Sequence, residues 1–145
     1  MFLEQIIEGF MLIAITVVIH GSVLGWTLIL LPDALAKEPG SFVRIICILC
    51  VLAIVVIIAH CVEIAIWGVF YTWRGIMPDF NDATYFSAVT YATIGYGDVV
   101  PPKHWRLLAS MEGLTGILMC AWSGGYFFAV VAEIYKSTNQ EDASK

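Results

Sequence analysis

The residues with the most informative types and spacing form one short stretch that ends in a carboxylate. They are Thr93, Ile94, Gly95, Tyr96, Gly97 and Asp98. The two glycines make left-handed φ values available at alternate positions, which ordinary residues resist. A backbone that turns its carbonyl groups to one side offers a ladder of oxygen ligands to a hard, dehydrated cation. The 93–98 segment can therefore present main-chain oxygens to a cation.

A second set of polar residues interrupts long apolar stretches and comprises His20, His60 and Glu63. His60 and Glu63 are one helical turn apart and share a face. Because histidine titrates near neutral pH, a pH sensor is one interpretation of the set. A neutral hydrogen-bonded lock between two helices explains the same residues, and we favour it because buried polar groups are generally paired. A buried metal site would need a third ligand from an unknown contact of His20.

Glu112 is a lone carboxylate about two turns into the last predicted helix. Such a group is costly in a membrane unless it faces water or a partner. Two placements are open for it. It bonds to the short helix behind the 93–98 segment, which we favour, or it faces an aqueous cavity and concentrates cations.

Composition predicts a membrane protein. The chain has 145 residues, of which 60% are hydrophobic and 13% charged, and its mean hydropathy is +0.86. Residues 10–31, 45–62 and 113–132 lack formal charge, and with their flanks each block is long enough for a transmembrane helix. The acidic start and the long first block argue against a cleaved signal peptide. The net charge of −5 argues against a nucleic-acid partner.

Three long helices and one short helix must position these residues. Their predicted limits are 5–31, 41–73 and 103–135 for helices 1 to 3, and 83–92 for the short helix. We expect helix 1 to stop at Pro32 and a turn-rich linker to lead to Ser41, the N-cap of helix 2. Asp79, Asn81 or Asp82 caps the short helix. The last ten residues are expected to be frayed.

Non-helical backbone at membrane depth is tolerated only where it is buried in protein or lines a watery cavity. The short helix, the 93–98 segment and the extended Pro101-Pro102 exit therefore predict a re-entrant loop between helices 2 and 3. One loop cannot enclose an ion path, and closing a ring requires symmetric copies. The cysteines at 47, 50, 61 and 120 all lie in apolar stretches, so no structural disulfide is expected.

From about residue 45 to residue 135 the chain resembles the pore module of potassium channels. By position, Thr93, Ile94, Gly95 and Tyr96 match the residues that bind K⁺ through their carbonyls and the threonine hydroxyl. Gly97 matches the glycine that completes the turn. The resemblance implies a tetramer, with residues 1–41 as an extra helix and linker, 42–136 as the pore module and 137–145 as a short polar tail.

Other positions acquire roles from this resemblance. Asp98 matches the acid just outside the filter. Gly116 falls near the family's gating-hinge glycine, and Gly113, Gly124 and Gly125 are rival bending points. Close packing of the helices explains these glycines equally well. Tyr85 and Phe86 stand where the family often has two tryptophans, and Val89 where some members have glutamate. The family's orientation places the filter side outside, with the N-terminus also outside and the C-terminus in the cytoplasm.

These inferences predict an all-α membrane protein with three transmembrane helices, a re-entrant pore helix and filter, and a homotetrameric pore that conducts K⁺ passively. It is not expected to be an enzyme, and it needs no cofactor beyond permeant K⁺. Its expected partners are copies of itself and membrane lipid, with no nucleic acid and no small-molecule substrate. The alternatives are a poorly selective cation channel of the same fold and a non-conducting scaffold or regulatory subunit. No helix carries the spaced arginines of a voltage sensor.

Overall fold

The computed structural model describes residues 2–36 and 42–143. Four α-helices account for most of them, and the described residues contain no β-strand. The helices are α1 (Phe2–Ala36), α2 (Phe42–Trp73), α3 (Phe80–Tyr91) and α4 (Arg106–Ala143), the last preceded by a 3₁₀ turn at Lys103–Trp105. Three helical stretches are long and apolar enough to cross a membrane: Phe2–Leu30, Phe42–Trp73 and Lys103–Lys136. The prediction of three candidate membrane helices is thus confirmed.

Helix α1 is longer than the sequence suggested. It continues through Pro32 to Ala36, so the prediction that it stops at Pro32 is wrong. A proline removes one backbone donor, but its fixed φ is compatible with helical geometry. One missing hydrogen bond near the helix end is therefore not enough to stop it. The rest of the predicted linker, including the proposed cap Ser41, lies outside the described residues.

Helix α3 begins at Phe80, three residues earlier than predicted, because Asp79 caps it. The Asp79 carboxylate accepts hydrogen bonds from the backbone N–H groups of Asn81 and Asp82 at 2.9 and 3.0 Å. These bonds satisfy amides that have no partner within the helix. With 12 residues, α3 is too short to cross a bilayer.

Helix α4 corresponds to the predicted helix 3 but ends later. It runs to Ala143, whereas the prediction ended it at Tyr135 and expected frayed residues beyond. Residues 136–142 are polar, yet residues 136–143 include neither glycine nor proline. Without those residues the sequence has no strong stop signal for the helix.

The helices form two apolar cores with polar side chains between them. Helix α1 packs against α2 and α4, and α3 also contacts both α2 and α4. One core is Leu12, Trp67, Phe70, Tyr71, Ile76, Met77, Ala83, Phe86 and Leu108. The other is Leu24, Leu52, Val56, Tyr126, Val130 and Ile134. The chain positions between these cores carry buried polar groups on α1, α2 and α4, including His20, Glu63 and Glu112.

Candidate functional site

The 93–98 segment directly follows α3 and is anchored to the end of that helix. The N–H groups of Ile94 and Gly95 both donate to the carbonyl oxygen of Val89, at 2.8 and 3.1 Å. The N–H of Thr93 donates to Thr90 at 2.9 Å. All six residues of the segment are nevertheless exposed in the single chain. Their N–H groups are thus partly held by the helix while their side chains remain uncovered.

These hydrogen bonds fix the direction of two carbonyl groups. No cis peptide bond occurs among the described residues, and in a trans peptide the N–H and C=O groups point in opposite directions. The amides of Ile94 and Gly95 point toward Val89. The carbonyl oxygens of the preceding residues, Thr93 and Ile94, therefore point away from α3.

The backbone of the segment alternates as the glycine spacing predicts. Positive φ values occur at Thr93 (59°), Gly95 (57°) and Gly97 (79°). This alternation gathers successive N–H groups on one side of the chain and leaves the carbonyls on the other. Glycine adopts such values freely, but at β-branched Thr93 the conformation costs about 1–3 kcal/mol. Thr93 therefore has a strained backbone at the point where the segment leaves α3.

The far end of the segment is tied back to α3 through Asp98. The Tyr85 hydroxyl donates to a carboxylate oxygen of Asp98 at 2.8 Å. This hydrogen bond lowers the pKa of Asp98 below its ordinary value and raises the pKa of the Tyr85 phenol. Tyr85 thus supplies a donor where the resemblance expects tryptophan, while Phe86 is buried in the first core. The segment is held at one end by Val89 and at the other by Tyr85.

Glu112 lies fully buried behind α3 and joins three helices. The Tyr71 hydroxyl donates to one carboxyl oxygen at 2.7 Å, and the Ser87 hydroxyl lies 2.5 Å from the other. Tyr71 is on α2 and Ser87 is on α3, so these residues and Glu112 form what we call the Glu112 triad. Of the two placements considered for Glu112, the structure has the one that is bonded to the short helix.

Gly116 marks the closest approach of α4 to the end of α3. A Cβ atom at this position would overlap the carbonyl oxygen of Tyr91, the last residue of α3. At Gly113 a Cβ would lie 3.6 Å from the Thr90 oxygen, an ordinary contact. At Gly124 and Gly125 it would meet nothing within 4 Å. Close packing accounts for Gly116 in this structure, and a gating role stays a prediction.

The structure brings His20, His60 and Glu63 together with two residues that sequence reasoning missed. His20 Nδ1 lies 2.9 Å from one oxygen of Glu63, and the Tyr91 hydroxyl donates to the other. His60 Nδ1 is 3.2 Å from the Tyr91 hydroxyl. The Nε2 atoms of His20 and His60 lie 3.0 and 3.2 Å from the Ser123 hydroxyl. This His–Glu cluster of five residues joins all four helices.

Sequence reasoning also missed Tyr71 and Ser87. These two residues, like Tyr91 and Ser123, carry hydroxyl groups in apolar surroundings. Because a buried hydroxyl requires a hydrogen-bond partner, each could have been paired with a buried acid or imidazole. Nothing in one sequence says which pairs meet.

A charged contact fixes the start of α1. Arg74, just after α2, donates to Glu8 at 2.9 Å and also to Glu4. Its guanidinium stands 5.5 Å from the ring centre of Trp105. The N-terminus of α1 therefore lies at the same end of the bundle as the loop between α2 and α3.

Comparison with protein families gives one match. A family model described as "Ion channel" matches residues 46–133, which is more than half of the chain. The matched region covers most of α2, all of α3, the 93–98 segment and most of α4, and it excludes α1. Neither the curated proteins nor the solved structures include a significant match.

Proposed function

Because the chain belongs to the ion-channel family, we propose that four copies form a potassium-selective pore with the 93–98 segment as its filter. The observation that carries the proposal is the backbone of this segment, in which the carbonyls of Thr93 and Ile94 turn away from α3 while their amides are held by it. The copy number comes from the resemblance to potassium-channel pore modules.

The exposure of the segment supports a multimeric pore. In the single chain, Ile94 is 53% and Tyr96 70% exposed. Carbonyl groups facing lipid would have no hydrogen-bond partner, so such backbone belongs where protein or water surrounds it. Symmetric copies around an axis supply both, since neighbouring chains cover the side chains and the carbonyls face the axis. In this arrangement α3 is the re-entrant pore helix.

Conduction then follows from the ligand geometry. Carbonyl rings from Thr93, Ile94, Gly95 and Tyr96, with the Thr93 hydroxyl, replace the hydration shell of K⁺. Several sites in series let ions repel one another and leave. Asp98 lies just beyond these rings, and its lowered pKa keeps a negative charge that attracts cations to the entrance. Potassium is cargo, and the transport involves no covalent step.

The orientation belongs to the same proposal. We place the filter side outside and the C-terminus in the cytoplasm, as in the family that the segment resembles. The N-terminus of α1 then lies outside, because Glu4 and Glu8 pair with Arg74 at the filter end of the bundle.

Reconstitution into liposomes tests the proposal. Bi-ionic reversal potentials in K⁺ and Na⁺ should show strong preference for K⁺ in the wild-type protein. Gly95→Ala should abolish conduction or selectivity, since a side chain at φ 57° strains the backbone. Gly25→Ala is the matched control, because a Cβ there meets nothing within 4 Å.

The alternatives predict different results. Near-equal permeability to Na⁺ and K⁺ would support the poorly selective cation channel. No K⁺ flux in the wild type, with Gly95→Asp folding and behaving like it, would support the non-conducting scaffold or regulatory subunit.

A further inference from the structure

We propose that His20, His60 and Glu63 form a binding site for a divalent transition metal, of which Zn²⁺ is the best fit. One ligand atom from each residue lies within 4.8 Å of the others. Two imidazoles and one carboxylate are a common zinc ligand set. The proposal goes beyond ion conduction and does not depend on it.

The two imidazole rings are oriented for this role. Both Nδ1 atoms face the Glu63 carboxylate, His20 at 2.9 Å and His60 at 3.6 Å. Tetrahedral zinc with bonds of about 2.0–2.1 Å holds its ligand atoms about 3.3 Å apart. The two Nδ1 atoms approach different oxygens of the carboxylate, and His60 Nδ1 is also 3.2 Å from the Tyr91 hydroxyl. The three ligand atoms lie within 4.8 Å of one another, so metal binding requires them to draw together to about 3.3 Å.

An outer shell for the metal is already in place. The Nε2 atoms of both histidines approach the same Ser123 hydroxyl. A serine oxygen has two lone pairs, so it can accept both Nε2–H groups when the two Nδ1 atoms bind metal. Metal-binding histidines almost always donate their second N–H in this way, which fixes the tautomer and the orientation of the ring.

The charge of the cluster also favours a cation. Glu63 has no exposed surface, and among the described residues it is hydrogen-bonded to the His20 imidazole and the Tyr91 phenol, with the His60 imidazole 3.6 Å away. A carboxylate inside a membrane helix is costly without a positive partner. A divalent ion supplies that charge, and nitrogen ligands favour transition metals over Mg²⁺ or Ca²⁺.

The location suggests how an ion enters and what it joins. The His60 side chain is 18% exposed, whereas His20 and Glu63 are fully buried, so entry occurs on the His60 side. The fourth ligand is water or the Tyr91 phenol, which bonds to Glu63. His20 lies outside the family-matched region and the other two ligands lie within it. A bound metal therefore links α1 to the family-matched region, at a point beside Tyr91, the last residue of α3.

Cobalt binding provides a direct test that does not use ion flux. The full chain, purified in detergent and freed of metal with EDTA, is titrated with Co²⁺ in a background where all four cysteines are serine. These cysteines are exposed and would otherwise offer competing thiolates. We expect one Co²⁺ per chain, with the visible spectrum of tetrahedral coordination, and displacement by Zn²⁺.

Variants assign the site to the cluster. His20→Gln and Glu63→Gln should remove the tetrahedral spectrum, and Ser123→Ala should weaken Co²⁺ affinity by about 10–100-fold. His104→Gln removes the third histidine of the chain, which lies in the 3₁₀ turn, and should bind like the parent. If a buried variant fails to fold, the partly exposed His60→Gln takes its place, with retained helix content as the criterion of folding.

Two results would overturn the proposal. A folded parent protein that binds no Co²⁺ or Zn²⁺ would leave the cluster as a hydrogen-bonded lock. Equal binding by the parent and by folded His20→Gln and His60→Gln would place the metal elsewhere. Neither result depends on whether the protein conducts K⁺.

Discussion

Replacing Glu112 tests which groups donate and which accept the hydrogen bonds of the Glu112 triad. The Ser87 hydroxyl lies 2.9 Å from the Ile64 carbonyl and 2.5 Å from Glu112. A carbonyl only accepts, and a serine hydroxyl has one proton to donate. Ser87 can donate to only one of these two groups. The assignment that makes hydrogen bonds of both Ser87 contacts is that Ser87 donates to Ile64, Glu112 donates to Ser87, and Tyr71 donates to Glu112. A glutamine at position 112 reproduces this pattern, because its amide N–H₂ donates to Ser87 and its oxygen accepts from Tyr71.

The two replacements therefore differ in their expected effect on stability. Glu112→Ala leaves the buried Tyr71 hydroxyl without an acceptor, which costs about 1–3 kcal/mol, and loses the bond to Ser87, about 1 kcal/mol. The unfilled space adds about 1 kcal/mol more. The free energy of unfolding should fall by about 3–5 kcal/mol. Glu112→Gln should change it by less than about 1 kcal/mol.

Unfolding by SDS in mixed micelles, followed by tryptophan fluorescence, measures both variants under the same conditions. Potassium flux in liposomes provides a second readout and should persist in Glu112→Gln. If glutamine destabilises the protein as much as alanine, the proton assignment is wrong and the site requires a carboxylate. If alanine is tolerated, the triad does not hold α3 in place.

Three further perturbations have defined outcomes. Gly116→Ala drives a methyl group into the end of α3 and should reduce thermal stability and K⁺ flux. The control Gly25→Ala should alter neither. If the two variants have equal stability and flux, the close approach of α4 to α3 is refuted. Arg74→Gln should cost only about 1–2 kcal/mol, because these pairs are partly exposed, and should speed hydrogen exchange in the first turns of α1. Tyr85→Phe should return the pKa of Asp98 upward toward its ordinary value. Because the wild-type hydrogen bond lowers that pKa, its stabilisation is present above the ordinary carboxyl pKa and is lost as pH falls through the lowered one. A carboxyl NMR titration should show the variant losing its charge at the higher pH.

Local features of the fold were predictable where a single residue or a short pattern decides them. The three apolar blocks became helices because each is long enough to span a bilayer without a charge. Asp79 was among the candidate caps, since a short acidic side chain before a helix satisfies its free amides. The two glycines of the 93–98 segment predicted alternating positive φ values. The positive φ at Thr93 extends the alternation to a β-branched residue that disfavours this conformation.

Helix ends and long-range partners were harder to predict. Pro32 does not end α1, which continues to Ala36, and the polar residues after Tyr135 continue α4 to Ala143. The meeting of His20 with Glu63 was proposed as a lock or sensor, but Ser123 could not be named as a third participant. Which hydroxyl faces an imidazole depends on how the helices rotate about their axes, and an almost uniformly apolar sequence contains little information about rotation.

The bonds of His20 also impose an order on biogenesis. Its two partners, Glu63 and Ser123, lie 43 and 103 residues further along the chain. Chains are made from the N-terminus, so the His20 imidazole on α1 can meet Glu63 only after α2 has been made, and Ser123 only after α4 has been made. Nascent chains that end before α4 should retain α1 less firmly. Helix α1 is therefore made before both helices that pair with His20, and it completes these contacts only when α4 is in place.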